Sequence, residues 1–496
     1  MTNHLPVLIV VIPLSVAVIL PLLALASHFI ARVAVFTTLI VVCLCSAAAL
    51  MHALQHGPWH YQLGGWAPPW GVEYVIDPLS GAIATLIACM ALLVAVYAGP
   101  HMSGMSAGRS GTFYSLFLLL VTGLLGIVVT GDMFNLYVFL EISSLAAYGL
   151  LASGGIRATV ATFRYLIVGT IAATFYLLGV GYLYALTGTL NMADLATRIP
   201  SIMDSSVFIV AVSFIVVGLA IKAALFPLHG WLPDAYTYAP APVVGFIAAV
   251  MTKVSAYVLF RVLYFVLRPE GAAGQALMLL GWASAIAVLA GSLLAIAQQD
   301  VRRMLAYSSI GQMGYITLGL AIGNTAAITG ALLHILNHAI MKGCLFMIVG
   351  GIQWRTGTCR IDDFIGLSRR MPLTMLAFVV AALSMIGLPP TAGFFSKWYL
   401  ISGALQAGAW YFVIPLVGSS LLSAVYFFRI IETSFLKQPD TSANPVESRL
   451  QASRHELPLP MLTPIIILAS AVLIVGFLNH TIVSHVIQFA LPKQVL

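Results

Sequence analysis

The chain has 496 residues, of which 61% are hydrophobic and only 7% are charged, and its mean hydropathy is +1.03. Soluble globular domains carry about 25% charged residues, so this composition excludes a water-soluble protein and predicts an integral membrane protein. The formal net charge of +7 comes from basic residues in short loops between apolar runs. That placement is typical of membrane topology and not of a nucleic-acid-binding surface.

Fourteen apolar stretches are long enough to cross a bilayer, since a helix needs about 20 apolar residues to span the hydrocarbon core. We number these predicted spans one to fourteen in chain order. They are 5–26, 29–53, 79–99, 112–130, 132–152, 161–186, 206–226, 243–267, 276–297, 304–321, 325–351, 374–407, 410–431 and 461–487. The first stretch has no basic leader, so we expect it to be retained as a span. The longest intervals, 54–78 and 432–460, are predicted to be surface loops.

Lysine and arginine are concentrated in the loops that follow odd-numbered spans. Arg198 and Arg268 follow even-numbered spans, whereas thirteen basic residues follow odd-numbered ones. These thirteen are Arg32, Arg109, Arg157, Arg164, Arg302, Arg303, Arg355, Arg360, Arg369, Arg370, Lys437, Arg449 and Arg454. The positive-inside rule therefore predicts a multi-pass protein of the bacterial inner membrane, with both termini on the non-cytoplasmic side.

Proline-rich interruptions occur in two of the predicted spans. Span seven runs into 225–233 (LFPLHGWLP), and span twelve contains 387–393 (GLPPTAG). Proline removes a backbone donor, and a carbonyl freed in this way cannot face lipid. Because the breaks recur five spans apart, we predict two inverted five-helix repeats, spans four to eight and nine to thirteen, around a transport site. The predicted units are 1–111, 112–267 (first repeat), 268–435 (second repeat) and 436–496.

Ionisable side chains lie deep inside several of the apolar spans. They are Glu141 (span five), Lys222 (span seven), Lys253 (span eight), His334, His338 and Lys342 (span eleven) and Lys397 (span twelve). A charge at the bilayer centre costs about 2.5–3.5 kcal/mol even on the lenient insertion scale. The glutamate and the lysines of spans seven, eight and twelve would therefore cost roughly 10–14 kcal/mol if they faced lipid. We expect all four to face the interior of the helix bundle.

One carboxylate cannot neutralise several lysines and histidines by static ion pairing, which is the simplest alternative role for these residues. Histidine titrates near neutral pH, and the three basic residues of span eleven, spaced i, i+4 and i+8, lie along one helical stripe. We interpret Glu141, Lys222, Lys253, His334, His338 and Lys397 as a chain of proton sites. Lys342 and His229 are candidate supporting residues, and His229 either bridges toward Lys253 or caps the break in span seven.

Cofactor chemistry finds little support in the sequence. The five cysteines form no CxxC pair, and no phosphate-binding loop, HExxH motif or strand-associated GxGxxG motif occurs. We therefore expect no cofactor, no metal and no direct ATP or NADH chemistry on this chain.

Five segments, in this order along the chain, resemble the antiporter-like subunits shared by Mrp cation/proton antiporters and respiratory complex I. They are 131–141 (GDMFNLYVFLE), 222–235 (KAALFPLHGWLPDA), 252–254 (TKV), 303–310 (RMLAYSSI) and 334–342 (HILNHAIMK). The resemblance covers about residues 70–435. It implies an all-α polytopic membrane fold of about 14 helices, with inverted five-helix repeats and broken helices seven and twelve.

The resemblance also implies roles for the buried residues. Glu141 and Lys222 match the family's essential acid–lysine pair, and Lys253 matches its central relay residue. The two histidines of span eleven match a polar link, and Lys397 matches the terminal site on helix twelve.

Within the family, the segment 187–195 (TGTLNMADL) and the chain length favour the D-type component of the Mrp complex. The leading interpretation is a proton-translocating subunit of a multisubunit Na⁺/H⁺ antiporter, with other membrane subunits, protons, Na⁺ and the lipid bilayer as partners and no catalytic turnover of its own. The alternative is a proton-pumping subunit of a complex I-like or hydrogenase-type redox complex, because one such branch also has lysine at the position of Lys397. A free-standing channel is a third interpretation.

Overall fold

The structure is a computed structural model that describes residues 4–437 and 456–491. Within these ranges, eleven helices are long and apolar enough to cross a membrane. They coincide with spans one to six, eight, nine, eleven, thirteen and fourteen: Leu5–Ala26, His28–His56, Pro78–Met102, Ala107–Val129, Met133–Ala152, Ile156–Thr187, Ala241–Val266, Gly271–Ile296, Thr325–Thr356, Trp410–Phe435 and Leu459–Phe477. Arg449 and Arg454, which contribute to the predicted orientation, lie outside the described residues.

The three remaining predicted spans are helical as well. Span ten is the helix Val301–Ile322. Span seven consists of Ser206–Lys222 followed by Leu232–Tyr238, and span twelve consists of Pro372–Ile386 followed by Ala392–Gln406. Every predicted span thus coincides with helix, and the predicted all-α polytopic membrane fold is confirmed. The division into two inverted repeats stays a prediction.

Short helical segments lie between the spans and, after Phe477, in the last part of predicted span fourteen and just beyond it. They are Leu63–Gly65, Met192–Arg198, Ile199–Ser201, Ile361–Phe364, Leu367–Arg370, Asn479–Ile482, Val483–Ile487 and Gln488–Ala490. Leu63–Gly65 belongs to the interval 54–78, which the sequence predicts to be a loop.

A β-hairpin occupies most of that interval. Its strands, β1 (Trp59–Gln62) and β2 (Glu73–Ile76), pair antiparallel with Gln62 opposite Glu73. The hairpin packs against the start of span five, where the Gly131 N–H donates to the Glu73 carbonyl at 2.9 Å. A Cβ atom on Gly131 would lie 2.9 Å from the Val75 side chain, so only glycine fits this approach without a shift. We refer to this end of the bundle as the hairpin side.

The break in span seven begins where the backbone leaves the right-handed helix. Ala224 has a φ of +53°, in the left-handed region, and Pro227 follows without an N–H donor. The Ile221 carbonyl accepts hydrogen bonds from the Ala224 N–H and from Trp231 Nε1, both at 3.0 Å. The backbone carbonyl that the interruption frees therefore accepts hydrogen bonds from protein groups, as a helix break at membrane depth requires.

Spans eight and eleven form the centre of the bundle. Their most apolar windows are 100% and 94% buried, compared with 33% for spans one and two. Lys253 on span eight and Lys342 on span eleven are therefore enclosed by protein.

Candidate proton-relay site

Lys222 ends the first half of span seven and points into span five. It is buried, and its Nζ donates to Ser144 Oγ at 2.7 Å. Ser144 Oγ in turn donates to the Leu140 carbonyl at 2.6 Å, one turn earlier on its own helix. The serine is thus held by its helix in a position to accept from the ammonium group.

Glu141 lies one turn before Ser144 on span five and interacts electrostatically with Lys222. No ion pair within 4 Å joins its carboxylate to a basic side chain in the described ranges. Glu141 is partly exposed, on the helix face that also exposes Val138 and Leu145. The prediction that this residue faces the bundle interior is therefore wrong for the chain alone, because Ser144 takes the inward position.

Lys253 is buried at the centre of the bundle, as predicted. Its Nζ donates to the Ala248 carbonyl, five residues earlier on span eight. Ala248 lies in a π-helical turn, Ile247–Met251, and such turns occur frequently at functional sites. The wider turn presents a backbone carbonyl to the ammonium group where no carboxylate is available.

The two histidines of span eleven are buried and their rings stack, with centroids 5.8 Å apart and an interplanar angle of 15°. His334 is fully paired, since Nδ1 lies 2.8 Å from Ser396 Oγ and Nε2 lies 2.9 Å from Gln312 Oε1. Neither ring nitrogen of His338 has a hydrogen-bond partner within the described residues. Both nitrogens of the His338 ring are therefore left unsatisfied by the described protein groups.

Lys397 is held by the break in its own span. Its Nζ donates to the Met385 carbonyl at 2.8 Å, to the Ile386 carbonyl at 3.1 Å and to Ser420 Oγ at 3.0 Å. The next residue, Gly387, has a φ of +93°, and a Cβ there would lie 2.9 Å from Lys397 Cδ. The interruption thus creates both the carbonyl acceptors and the space for the lysine stem.

Tyr315 connects the histidines to this lysine. Its ring stacks on His334 with centroids 5.6 Å apart, and the Lys397 ammonium lies 4.8 Å from the centre of the same ring. His338, His334, Tyr315 and Lys397 therefore form a continuous line of contacts through the second predicted repeat.

The two supporting candidates lie away from this line. Lys342 is buried but donates to the Leu305 carbonyl and to Ser308 Oγ, both at 2.8 Å, so it points toward span ten. His229 is partly exposed and stacks on Phe226 with centroids 5.2 Å apart. No hydrogen bond joins it to Lys253 in the part of the chain that the structure describes. The bridging role of His229 has no contact to support it.

Several neutral residues complete the site, and none of them is among the predicted relay residues. They are Ser144, Gln312, Tyr315, Ser396 and Ser420. A glutamine inside an apolar span was the available signal, because an amide needs partners when it is buried. The hydroxyls carry a weaker signal, since serine commonly bonds to the preceding turn of its own helix.

The family profile described as "NADH:quinone oxidoreductase/Mrp antiporter, TM" matches residues 130–423, which is more than half of the chain. The chain belongs to this family. All eight residues predicted to form or support the relay lie within the matched region.

Individual relatives differ in the complexes they are named for. The N-type component of an NADH-quinone oxidoreductase from Desulforudis audaxviator (strain MP104C) is 59% identical over 497 residues, with 99% of each chain covered. The D-type component of a Na⁺/H⁺ antiporter from Alkalihalophilus pseudofirmus is 31% identical, with 98% of this chain and 97% of the relative covered. The identity to the oxidoreductase component is much higher, so the antiporter interpretation is not favoured over the redox alternative.

A solved structure also matches along nearly the whole chain. A chain of the membrane-bound sulfane sulfur reductase, an archaeal respiratory membrane complex, matches with a TM-score of 0.91 at 31% identity. The match covers 99% of this chain and 98% of that one. Family members are thus ion-translocating subunits of multisubunit membrane assemblies.

Proposed function

We propose that the chain is a proton-translocating membrane subunit of a redox-driven complex of the quinone-reductase type. The 59% identity to a component of an NADH-quinone oxidoreductase supports the type of complex. The proposed relay consists of Glu141, Lys222, Lys253, His334, His338 and Lys397. Electron transfer takes place on companion subunits, which would supply every redox cofactor.

Proton transport is supported above all by four buried lysines that lack carboxylate partners. Lys222, Lys253, Lys342 and Lys397 are each at most 5% exposed, and among the described residues none forms an ion pair. Within those residues, their ammonium groups donate hydrogen bonds to serine hydroxyls and backbone carbonyls. Such an amine can release its proton without breaking an ion pair and leaving an unmatched buried carboxylate behind.

In the first half of the proposed relay, Lys222 alternates between the protonated and neutral states under the control of Glu141. Because Glu141 lies on an exposed helix face, we infer that a neighbouring membrane subunit covers it in the assembled complex. A charge change in that neighbour would alter the potential at Lys222. The proton released would pass to Lys253 at the bundle centre.

In the second half, the proton would move along the contact line from the centre toward the break in span twelve. Because the rings meet by stacking, water molecules would carry the proton between successive titratable groups. His338 accepts it, His334 passes it on, and Lys397 is the last site. The side-chain order His338, His334, Tyr315, Lys397 supports this direction of connection, and reversal of the redox reaction would reverse it.

The predicted topology belongs to this proposal. The loops after odd-numbered spans would face the cytoplasm, and the hairpin side with both termini would face outward. The units 112–267 and 268–435 would form the two inverted repeats. Each contains a broken span with a positive-φ residue, Ala224 or Gly387, close to a buried lysine.

A second candidate function is a subunit of a Na⁺/H⁺ antiporter. The 31% identity to such a subunit along nearly the whole chain supports it. The same relay would then be driven by cation flux through partner subunits. Purification of the native complex discriminates between the two, because flavin- or iron–sulfur-containing companions favour the redox assembly and small hydrophobic companions favour the antiporter.

The relay itself is tested by Lys253→Ala in the intact complex in sealed inverted membrane vesicles. We expect NADH-driven acidification, followed with a quenched amine dye, to fall to the level of uncoupled vesicles, whereas quinone reduction persists. Lys437→Ala, which removes an exposed lysine, is the matched control and should leave acidification unchanged. Undiminished acidification in assembled Lys253→Ala complexes would overturn the proposed relay.

A further inference from the structure

A cavity of about 180 Å³ lies on the hairpin side, between the hairpin, the start of span five and the end of span eight. Polar groups around it include His60, Glu73, Thr130, Tyr257 and Arg261. None of the six proposed relay residues lines it. The cavity is large enough for several water molecules, since each occupies about 30 Å³ in the liquid.

Glu73 is the buried carboxylate of this cavity. The residue is 4% exposed, and its Oε1 atom accepts a hydrogen bond from Asn191 Nδ2 at 2.7 Å. The other oxygen, Oε2, lies 3.1 Å from His60 Nδ1. The His60 side chain is 54% exposed, so the imidazole stands between the carboxylate and the solvent.

The other charges around Glu73 compensate each other. Arg261 forms an ion pair with Asp77, which begins span three, and its Nε donates to the Tyr257 hydroxyl at 3.2 Å. Burial alone would raise the pKa of Asp77, but the Arg261 guanidinium and the Ser80 N–H hold it below its ordinary value. The pair therefore stays ionised with no net charge.

Two further titratable residues, Tyr74 and Asp132, lie near the Glu73 carboxylate. Burial raises the pKa of the Tyr74 hydroxyl to about 12, so this residue stays neutral. Asp132 accepts the Asn135 N–H at 2.7 Å and begins span five, which fixes its side chain. Glu73 and His60 are thus a carboxylate and an imidazole in contact at this cavity, and His60 joins the carboxylate to the solvent.

The cavity approaches the proposed relay along span eight. Tyr257 and Arg261 follow Lys253 at i+4 and i+8, on one helical stripe. At 1.5 Å per residue, Tyr257 lies about 6 Å beyond Lys253 along the helix axis. The Tyr257 hydroxyl donates at 2.9 Å to the carbonyl of Val128, which also lines the cavity. The backbone of Tyr257 therefore lies about one helical turn from that of Lys253, whose ammonium group points the other way along span eight, to the Ala248 carbonyl.

We propose that this cavity is a proton-exchange site of the first repeat, with Glu73 as the proton-binding group and His60 as its shuttle to the hairpin-side solvent. The His60 imidazolium transfers its Nδ1 proton to Glu73 Oε2, which yields a neutral imidazole and a neutral carboxylic acid. The imidazole then takes a proton from bulk water, and the reverse steps release one. The inference rests on the proposed function, because the site serves transport only if Lys253 carries protons.

The test uses Glu73→Gln in the intact complex in sealed vesicles, with the pH varied on the hairpin side alone. Glutamine keeps the shape and the acceptor for Asn191 but cannot bind the proton. We expect quinone reduction to persist, whereas proton translocation falls and no longer responds to hairpin-side pH. Glu270→Gln, at an exposed carboxylate in the loop between spans eight and nine, is the control and should keep the wild-type pH profile.

His60→Gln provides a second, independent readout. We expect slower translocation that added imidazole restores from the hairpin side, which a merely structural role would not produce. If added imidazole does not restore translocation, the proposed role of His60 as a proton shuttle is wrong. This readout also tests the proposal if the Glu73→Gln complex fails to assemble. A defect in Glu73→Gln that follows Na⁺ concentration instead of pH would also overturn the proposal and indicate a cation site. If Lys253→Ala abolishes translocation and Glu73→Gln retains the wild-type profile, the exchange site fails while the proposed function stands.

Discussion

The two lysines beside the broken spans are held in opposite ways. Among the described residues, Lys222 has one hydrogen-bond partner, Ser144, which comes from another helix, and its acidic neighbour Glu141 is partly exposed. Lys397 donates to two carbonyls of its own broken span and to Ser420. The second site is therefore complete within the chain, whereas the first depends on what covers span five. We therefore propose that neighbouring subunits regulate the first site and that the second site stores a proton.

The largest effect on proton transport is expected from His334→Phe, which interrupts the contact line that leads to Lys397 in the second site. Phenylalanine can keep the stacking on Tyr315 and His338 but has no ring nitrogen, so NADH-driven acidification should be lost. Ser396 and Gln312 would lose a partner, at a cost of about 1–3 kcal/mol for each unsatisfied group. Thermal unfolding in detergent measures that cost. His485→Phe, at an exposed histidine, is the control, and retained acidification in the His334 variant would exclude the contact line as the route.

Gly387→Ala comes next and tests whether the break shapes the site of Lys397. The residue has a φ of +93° and no room for a Cβ, so the substitution should lower the free energy of unfolding by about 1–3 kcal/mol. The matched change Ala224→Gly, in the other break, removes a Cβ from a positive-φ residue and should leave stability nearly unchanged. Equal melting temperatures for the two variants would show that the two breaks do not differ in their tolerance of a Cβ at the positive-φ residue.

The membrane helices could be predicted from the sequence because bilayer thickness fixes the length of an apolar run. The two interruptions followed from proline, and the burial of Lys253 and Lys397 followed from the cost of charge in lipid. The hairpin was missed because its four-residue strands depend on a distant contact with Gly131. The orientation of Glu141 depends on which face of span five is covered by neighbouring helices, and the local sequence of span five does not indicate that face.

Membership in the redox or the antiporter branch could not be predicted for a different reason. The predicted relay residues lie in motifs that the resemblance assigns to both branches, so they cannot separate them. Gln312 and Tyr315 were missed for a physical reason, since neutral side chains lack the large insertion penalty that identified the lysines.

A smaller difference should separate Ser144→Ala from Ser420→Ala. The first change removes the hydrogen-bond partner of Lys222, whereas the second leaves Lys397 with two carbonyl acceptors. We expect a loss of about 1–3 kcal/mol of stability for Ser144→Ala and less for Ser420→Ala. Acidification should fall further in the Ser144 variant. A reversed order would contradict the view that the second site is the more self-sufficient one.

Glu141→Gln should affect stability less than either serine variant. Since the carboxylate is partly exposed and unpaired within 4 Å in the described residues, the isolated chain should change by no more than about 0.5 kcal/mol. In the assembled complex the same variant should impair acidification, because Lys222 loses the charge that switches it. A stability loss in the isolated chain comparable to that of Ser144→Ala would mean that Glu141 is a structural partner of Lys222.

The smallest effect is expected from His229→Ala. This histidine lies in the break of span seven, yet its ring contacts Phe226 at the bundle surface and does not reach Lys253. Loss of one partly exposed stacking contact should change stability by about 0.5–1.5 kcal/mol and leave the rate of acidification near that of the wild type. The comparison between the two breaks depends on this result, because no side-chain hydrogen bond connects Lys222 to Lys253 among the described residues. A strong transport defect that added imidazole reverses would place His229 in that gap and make the first site as continuous as the second.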